Sequence, residues 1–202
     1  AFLLQKFSYP GIPCAVELLE SGTKSFLVME AVNGKSIGQR MRKGERFSSR
    51  EILKTGIALS GILCYLHAQN PPVFYRDLKP DNVMITERGE IYLVDFGAAG
   101  TEETGVEVRY GTRGYAAPEQ YYGLSDQQSD IYSIGILLKE LCAHTAWRNN
   151  EADIFLTIIR KRQEERYLTI SQMQNDFIIT CRSCSSTAKY AESIPMHKEQ
   201  KV

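Results

Sequence analysis

Tyr75-Arg76-Asp77-Leu78-Lys79-Pro80-Asp81-Asn82, with Asp95-Phe96-Gly97 beginning thirteen residues after Asn82, decides the reading of this chain. The two stretches put carboxylates, an amide and a lysine on adjacent loops, a set that suits phosphoryl transfer from a metal-bound nucleotide. A phosphoryl group in transfer carries charge that must be neutralised, and the accepting hydroxyl must be aimed. Gly97 lets the backbone turn sharply after Asp95. Each acid taken alone reads equally well as a loop cap or turn residue. The ordered set is what carries the argument.

Two further stretches follow in order, Ala117-Pro118-Glu119 and Ser129-Asp130-Ile131-Tyr132-Ser133-Ile134-Gly135. In this order and at this spacing the four stretches resemble a eukaryotic-type protein kinase: catalytic loop, metal-binding loop, the Ala-Pro-Glu turn and the start of a buried helix. Lys79, two residues after Asp77, resembles the serine/threonine branch. Tyr75 departs from the family's usual histidine, and that spelling, with Gly114-Tyr115-Ala116-Ala117-Pro118-Glu119-Gln120-Tyr121, resembles bacterial serine/threonine kinases. The resemblance covers residues 1–142 well and 151–177 loosely.

The resemblance implies ATP and Mg2+ as cofactors and a protein carrying Ser or Thr as substrate. It makes Asp77 the acceptor of the substrate hydroxyl's proton and sets Lys79 beside the γ-phosphate. Asn82 and Asp95 become magnesium ligands through hard oxygens. Met29 resembles the gatekeeper, Glu30 and Val32 the hinge positions that pair with adenine, and Met84 the apolar floor beneath it; each reads equally as core or strand packing. The ring of Tyr75 packs against Phe96 in this scheme. Asp130 anchors the catalytic-loop backbone, with a helix-start acid as its plain alternative. Arg166 pairs with Glu119, against a surface charge as the alternative. Arg76 binds a phosphate on the following loop, for which Thr101 and Thr104 are candidates, while Thr112 resembles the threonine that bonds the base and the lysine.

Among 202 residues, 43% are hydrophobic and 24% charged, as in an ordinary globular protein. Twenty-four basic and 24 acidic residues cancel, so nothing global points to nucleic acid. Arg40, Arg42, Lys43, Arg46 and Arg50 read as a solvated face, with a substrate or partner site as the alternative. Cys14, Cys64 and Cys142 read as reduced core residues. Cys181-Arg182-Ser183-Cys184 has no second pair to complete a zinc site. With no signal peptide and no apolar run of spanning length, the expectation is a cytoplasmic chain without a membrane segment. Oligomeric state is not legible.

Ala15–Glu20 and Ser25–Val32 predict a hairpin around Ser21-Gly22-Thr23-Lys24. Ser48 or Ser49 caps a long helix with Ile52, Leu59, Leu63 and Leu66 at helical spacing, ended by Asn70-Pro71-Pro72. Val83–Ile85 and Ile91–Val94 predict strands about Gly89, and residues 98–116 a long loop of functional type. Asp130 to Leu141 predicts a helix capped by Ser129 or Asp126, and Ile154–Lys161 and Ile170–Ile179 two more. The expected fold class is α+β, protein-kinase-like. Residues 1–179 form a partial kinase domain, with 1–32 the end of the small lobe and hinge and 33–179 the helical large lobe. Residues 180–202 are a polar tail expected to be disordered.

No glycine-rich phosphate loop and no lysine strand precede the catalytic loop in these residues. The stretch between the buried helix and Arg166 is also shorter than the family's usual run. The expectation is a protein serine/threonine kinase, incomplete as written. The alternative is a catalytically inactive, truncated kinase-homology module that acts by protein binding. A small-molecule kinase of the same fold is a third possibility, against which Ala117-Pro118-Glu119 argues.

Overall fold

The computed structural model describes residues 4–22, 24–101, 111–145 and 166–183. Two short runs rich in β-branched and large apolar residues form the hairpin β1 (Ala15–Ser21) and β2 (Lys24–Met29), in antiparallel register with Leu18 opposite Leu27 and Leu19 opposite Phe26. The predicted second strand reached Val32. The observed one stops at Met29, and the last inter-strand bond is Glu30 N to the Cys14 carbonyl at 2.8 Å. Pro13, next on the partner strand, has no N–H with which to continue the ladder.

A second sheet has β3 (Gly34–Ser36) and β5 (Ile91–Leu93) flanking β4 (Val83–Thr86), all antiparallel. β3 and the helix after it, α1 (Ile37–Arg42), were not anticipated; three and six residues are too short to show a period. Their signal was Ser36 and Gln39, a capping box in which Ser36 Oγ accepts from Gln39 N and Gln39 Oε1 accepts from Ser36 N, both at 3.1 Å.

α2 (Ser49–His67) is the central helix, capped by Ser48, with Glu51 returning its carboxylate to Ser48 N at 2.9 Å. Its buried stripe includes Ile52, Leu59, Leu63 and Leu66, each no more than 1% exposed. Burial of a side chain of this size contributes roughly 1.5–3 kcal/mol. Against it pack α3 (Gln127–Ala143) and α4 (Ile170–Ser183), which add Ile131, Ile134, Leu138, Met173 and Phe177 to one core. Gly56 lets Phe177 approach α2 closely, since a Cβ there would stand 2.9 Å from the ring.

Helix α3 starts three residues before Asp130, because Asp126 rather than Ser129 is the cap: its carboxylate accepts from Gln128 N at 2.8 Å and Ser129 N at 3.2 Å. Helix α4 runs to Ser183, past the predicted end at Ile179 and into the segment expected to be disordered. The predicted helix Ile154–Lys161, the tail beyond Ser183 and the middle of the 98–116 loop lie outside the described residues. No helix among the described residues is long and apolar enough to cross a membrane.

Two local readings change. Arg40 is not a solvated charge: its side chain is 15% exposed, bonded to Glu45 at 2.8 Å and Glu51 at 3.0 Å, with its guanidinium 4.5 Å from the Phe47 ring centre. Cys142 is buried and Cys64 half-buried, but Cys14 is exposed.

Candidate active site

The catalytic-loop stretch lies between the end of α2 and β4, and Asp95-Phe96-Gly97 follows β5. The β4–β5 pairing therefore brings the two stretches side by side, with Val94 N donating to the Asn82 carbonyl at 2.9 Å. Asp77 is the focus of the polar contacts. Its Oδ2 receives Lys79 Nζ at 2.7 Å and its Oδ1 receives the Thr112 hydroxyl at 2.7 Å. Lys79 Nζ also donates to Thr112 Oγ1 at 3.0 Å, which closes a triangle of Asp77, Lys79 and Thr112. Asn82 Nδ2 donates to the Asp77 carbonyl at 3.0 Å, which leaves the amide oxygen to face elsewhere.

The loop is held from beneath. Asp130, fully buried at the start of α3, accepts from Tyr75 N at 2.9 Å, Arg76 N at 2.8 Å and His67 Nε2 at 2.9 Å. His67, the last residue of α2, was not singled out in the sequence, where a lone histidine at a helix end carries no pattern. Arg76 has φ 71°, a left-handed conformation unusual for a residue with a side chain. Asp95 has φ 60° as well, and its Oδ1 accepts from Gly97 N at 3.2 Å.

Tyr75 fills the place of the expected ring. It is 1% exposed and meets Phe96 edge-on with ring centres 5.2 Å apart. Its hydroxyl donates to the carbonyls of Val94 and Asp95, the latter at 3.1 Å. Burial first, and the charge of Asp95 next, push this phenol well above its ordinary pKa, so it remains a donor.

The Ala117-Pro118-Glu119 turn is tied down by the anticipated ion pair. Arg166 donates to both oxygens of Glu119, at 2.6 and 3.1 Å, and Ser129 Oγ adds a bond at 3.0 Å. Burial alone would raise the Glu119 carboxyl; the Arg166 bonds and those from the backbone and Ser129 outweigh it and hold the carboxyl below its ordinary range. Arg76 Nη2 donates to the Thr101 carbonyl at 2.8 Å, which places Thr101 beside it; Thr104 lies outside the described residues. Arg42 and Asp81 form an exposed pair at 2.8 Å, and its hydrogen bond lowers the Asp81 carboxyl. Such pairs contribute little.

The four adenine candidates are split. Glu30 and Val32, in the segment between β2 and β3, line an open cavity of about 350 Å3 with Thr86, Glu87, Arg88 and Tyr92 among the other walls. Met29 and Met84 are not among the lining residues. Met84 sits on β4 directly opposite Tyr92, so their side chains share a sheet face.

Magnesium fits the donor set. Asn82 and Asp95 offer oxygens, and Mg2+ takes one or two protein ligands with phosphates and water completing the shell. No cluster of three or more His, Cys, Asp or Glu suited to a metal occurs among the described residues.

Residues 2–191 match the protein kinase domain family. The chain belongs to that family. Among curated relatives it is 31% identical over 146 residues to the probable serine/threonine-protein kinase PknB of Lactococcus lactis, a match covering 70% of this chain and 23% of that protein. It is 30% identical over 192 residues to the serine/threonine-protein kinase PknL of Mycobacterium tuberculosis, covering 88% of this chain and 46% of that one. CBL-interacting serine/threonine-protein kinase 8 of Arabidopsis thaliana is 32% identical over 139 residues, 65% of this chain and 31% of its own length. The chain thus spans between about a quarter and a half of these relatives. The family uses ATP and, as a rule, magnesium, in keeping with the Asn82 and Asp95 oxygens.

Proposed function

We propose that this chain carries the phosphoryl-transfer site of an ATP-dependent protein serine/threonine kinase. The observation that bears most weight is the Asp77–Lys79–Thr112 triangle, with contacts of 2.7 to 3.0 Å, on a loop anchored by buried Asp130. Asp77 accepts the hydrogen of a substrate Ser or Thr hydroxyl as its oxygen attacks the γ-phosphorus and the bond to the β-phosphate oxygen breaks. Lys79 offsets negative charge on the transferring group. Its present bond to Asp77 keeps the ammonium at the reacting centre.

Asn82 and Asp95 hold magnesium in this reading. Bound there, the ion neutralises charge on the phosphate oxygens. Met29, Glu30, Val32 and Met84 receive the adenine, supported by the position of Glu30 and Val32 on the cavity and of Met84 on the adjoining sheet face. The preference for Ser and Thr in protein substrates rests on Lys79 and on the likeness to proteins named as serine/threonine-protein kinases.

The test is transfer of labelled γ-phosphate by the full-length protein to generic Ser/Thr substrates such as casein. Magnesium-dependent label on Ser or Thr is expected, with Asp95→Ala shifting the magnesium requirement upward about tenfold or more. No label from the wild type under any magnesium concentration would overturn the reading.

A further inference from the structure

Gln120 lies in the short 3-10 turn Pro118–Tyr122 and is 2% exposed. A side chain so enclosed would ordinarily be apolar, and a buried amide persists where both of its ends are bonded. Here they are. Gln120 Oε1 accepts from Ala117 N at 2.8 Å, and Gln120 Nε2 donates to the Arg76 carbonyl at 2.8 Å, across 44 residues of sequence.

The recipient matters more than the bond. Arg76 is the residue immediately before Asp77 and sits at φ 71°. A left-handed arginine persists only where its surroundings fix it. Asp130 Oδ1 grips its N–H at 2.8 Å, and Gln120 grips its carbonyl. That carbonyl belongs to the peptide unit joining Arg76 to Asp77, so its direction sets the direction of the Asp77 N–H and Cα.

The same amide touches a third segment. A Cβ at Gly111, where φ is 109°, would stand 3.2 Å from Gln120 Nε2 and 2.7 Å from the Ala116 methyl. Glycine is therefore required for this approach. The next residue is Thr112, whose hydroxyl reaches Asp77. One buried amide thus sits where the catalytic loop, the strand of chain that delivers Thr112 and the Ala117-Pro118-Glu119 turn converge.

We propose that Gln120 is a positioning residue that orients Asp77 by holding the Arg76 carbonyl, and so couples the folded state of the Pro118–Tyr122 turn to the base. This inference rests on the reading of Asp77 as acceptor of the substrate hydroxyl. Without the amide the left-handed residue keeps one of these two grips, and the carboxylate two bonds further on samples orientations that do not meet the hydroxyl.

Two variants separate this from a packing role. Gln120→Leu removes both bonds. Gln120→Glu keeps the acceptor for Ala117 N, but its ionised form faces the Arg76 carbonyl with no hydrogen to donate. Protonated, that carboxyl is a donor again, and burial favours the protonated form as pH falls.

The experiment uses the full-length protein. Amide hydrogen exchange over residues 75–79 is measured for wild type, Gln120→Leu and Gln120→Glu, with kcat and KM for ATP and peptide from pH 6 to 8. Faster exchange over 75–79 in Gln120→Leu is expected, with α2 unchanged. A fall in kcat of about tenfold, at a KM for ATP within about twofold, should accompany it. The Gln120→Glu to wild-type kcat ratio should rise as pH falls, while the Gln120→Leu ratio stays flat. Unchanged exchange over 75–79 in Gln120→Leu, or a Gln120→Leu kcat within about twofold of wild type, overturns the proposal. A wild type that transfers no phosphate sinks the kinase reading instead, and the exchange data then still decide whether Gln120 holds the loop.

Discussion

The carboxylate of Asp130 accepts the Arg76 amide at 2.8 Å across 54 residues of sequence, and with this bond the first turn of α3 sets the backbone of the catalytic loop. The same carboxylate takes Tyr75 N and His67 Nε2. A fully buried anion with no partners would be costly; with this set of donors it becomes the support on which a left-handed arginine stands.

Asp130→Ala should therefore destabilise strongly. It leaves two backbone N–H groups and an imidazole nitrogen without their acceptor in a dry environment. Each unsatisfied group costs about 1–3 kcal/mol, so a loss of roughly 3–9 kcal/mol is expected. Urea unfolding followed by circular dichroism measures it. A loss under about 1 kcal/mol would show that the loop finds other partners.

Thr112→Val keeps shape and removes the hydroxyl that donates to Asp77 and accepts from Lys79. A fall in kcat of about ten- to a hundredfold is expected, with the melting temperature nearly unchanged. Thr112→Ser should recover most of the rate. A rate lost in Thr112→Ser and kept in Thr112→Val would mean that the methyl, not the hydroxyl, is what the site uses.

Acid sensitivity should report the Glu119–Arg166 pair. Glu119 has a folded pKa below its ordinary value of 4.5, so its contribution is complete above that value and is lost as pH falls through the lowered one. Arg166→Met removes the guanidinium and should narrow the gap in urea midpoint between pH 7 and pH 3.5. A gap of the same size in wild type and variant would show that the pair does not contribute to the acid transition.

The stretch around Asp77, the Ala-Pro-Glu turn and the buried aspartate were legible because the family pattern they resemble puts particular side chains in a fixed order. Asp77, Lys79 and Thr112 meet as expected, and Glu119 finds Arg166. The strands around Gly89 and the helix capped at Ser48 were legible from turn chemistry and period. What escaped was of two kinds. Segments as short as β3 and α1 show no repeat, although Ser36 and Gln39 had written their cap. Contacts such as His67 with Asp130, or Gln120 with Arg76, join distant residues whose local sequence gives each an ordinary reading. The ion pairs of Arg40 likewise depend on where α1 and α2 meet, which charge pattern alone does not reveal.

The central claim is that Asp77 takes the hydrogen of the substrate hydroxyl, and Asp77→Asn tests it most directly. The measurement is phosphate transfer from labelled ATP to a Ser/Thr peptide by the full-length variant, beside its melting temperature and its MgATP affinity. The expected result is a folded protein that still binds MgATP and transfers phosphate at least about a thousandfold more slowly. A folded variant that keeps more than about a third of the wild-type rate would contradict it.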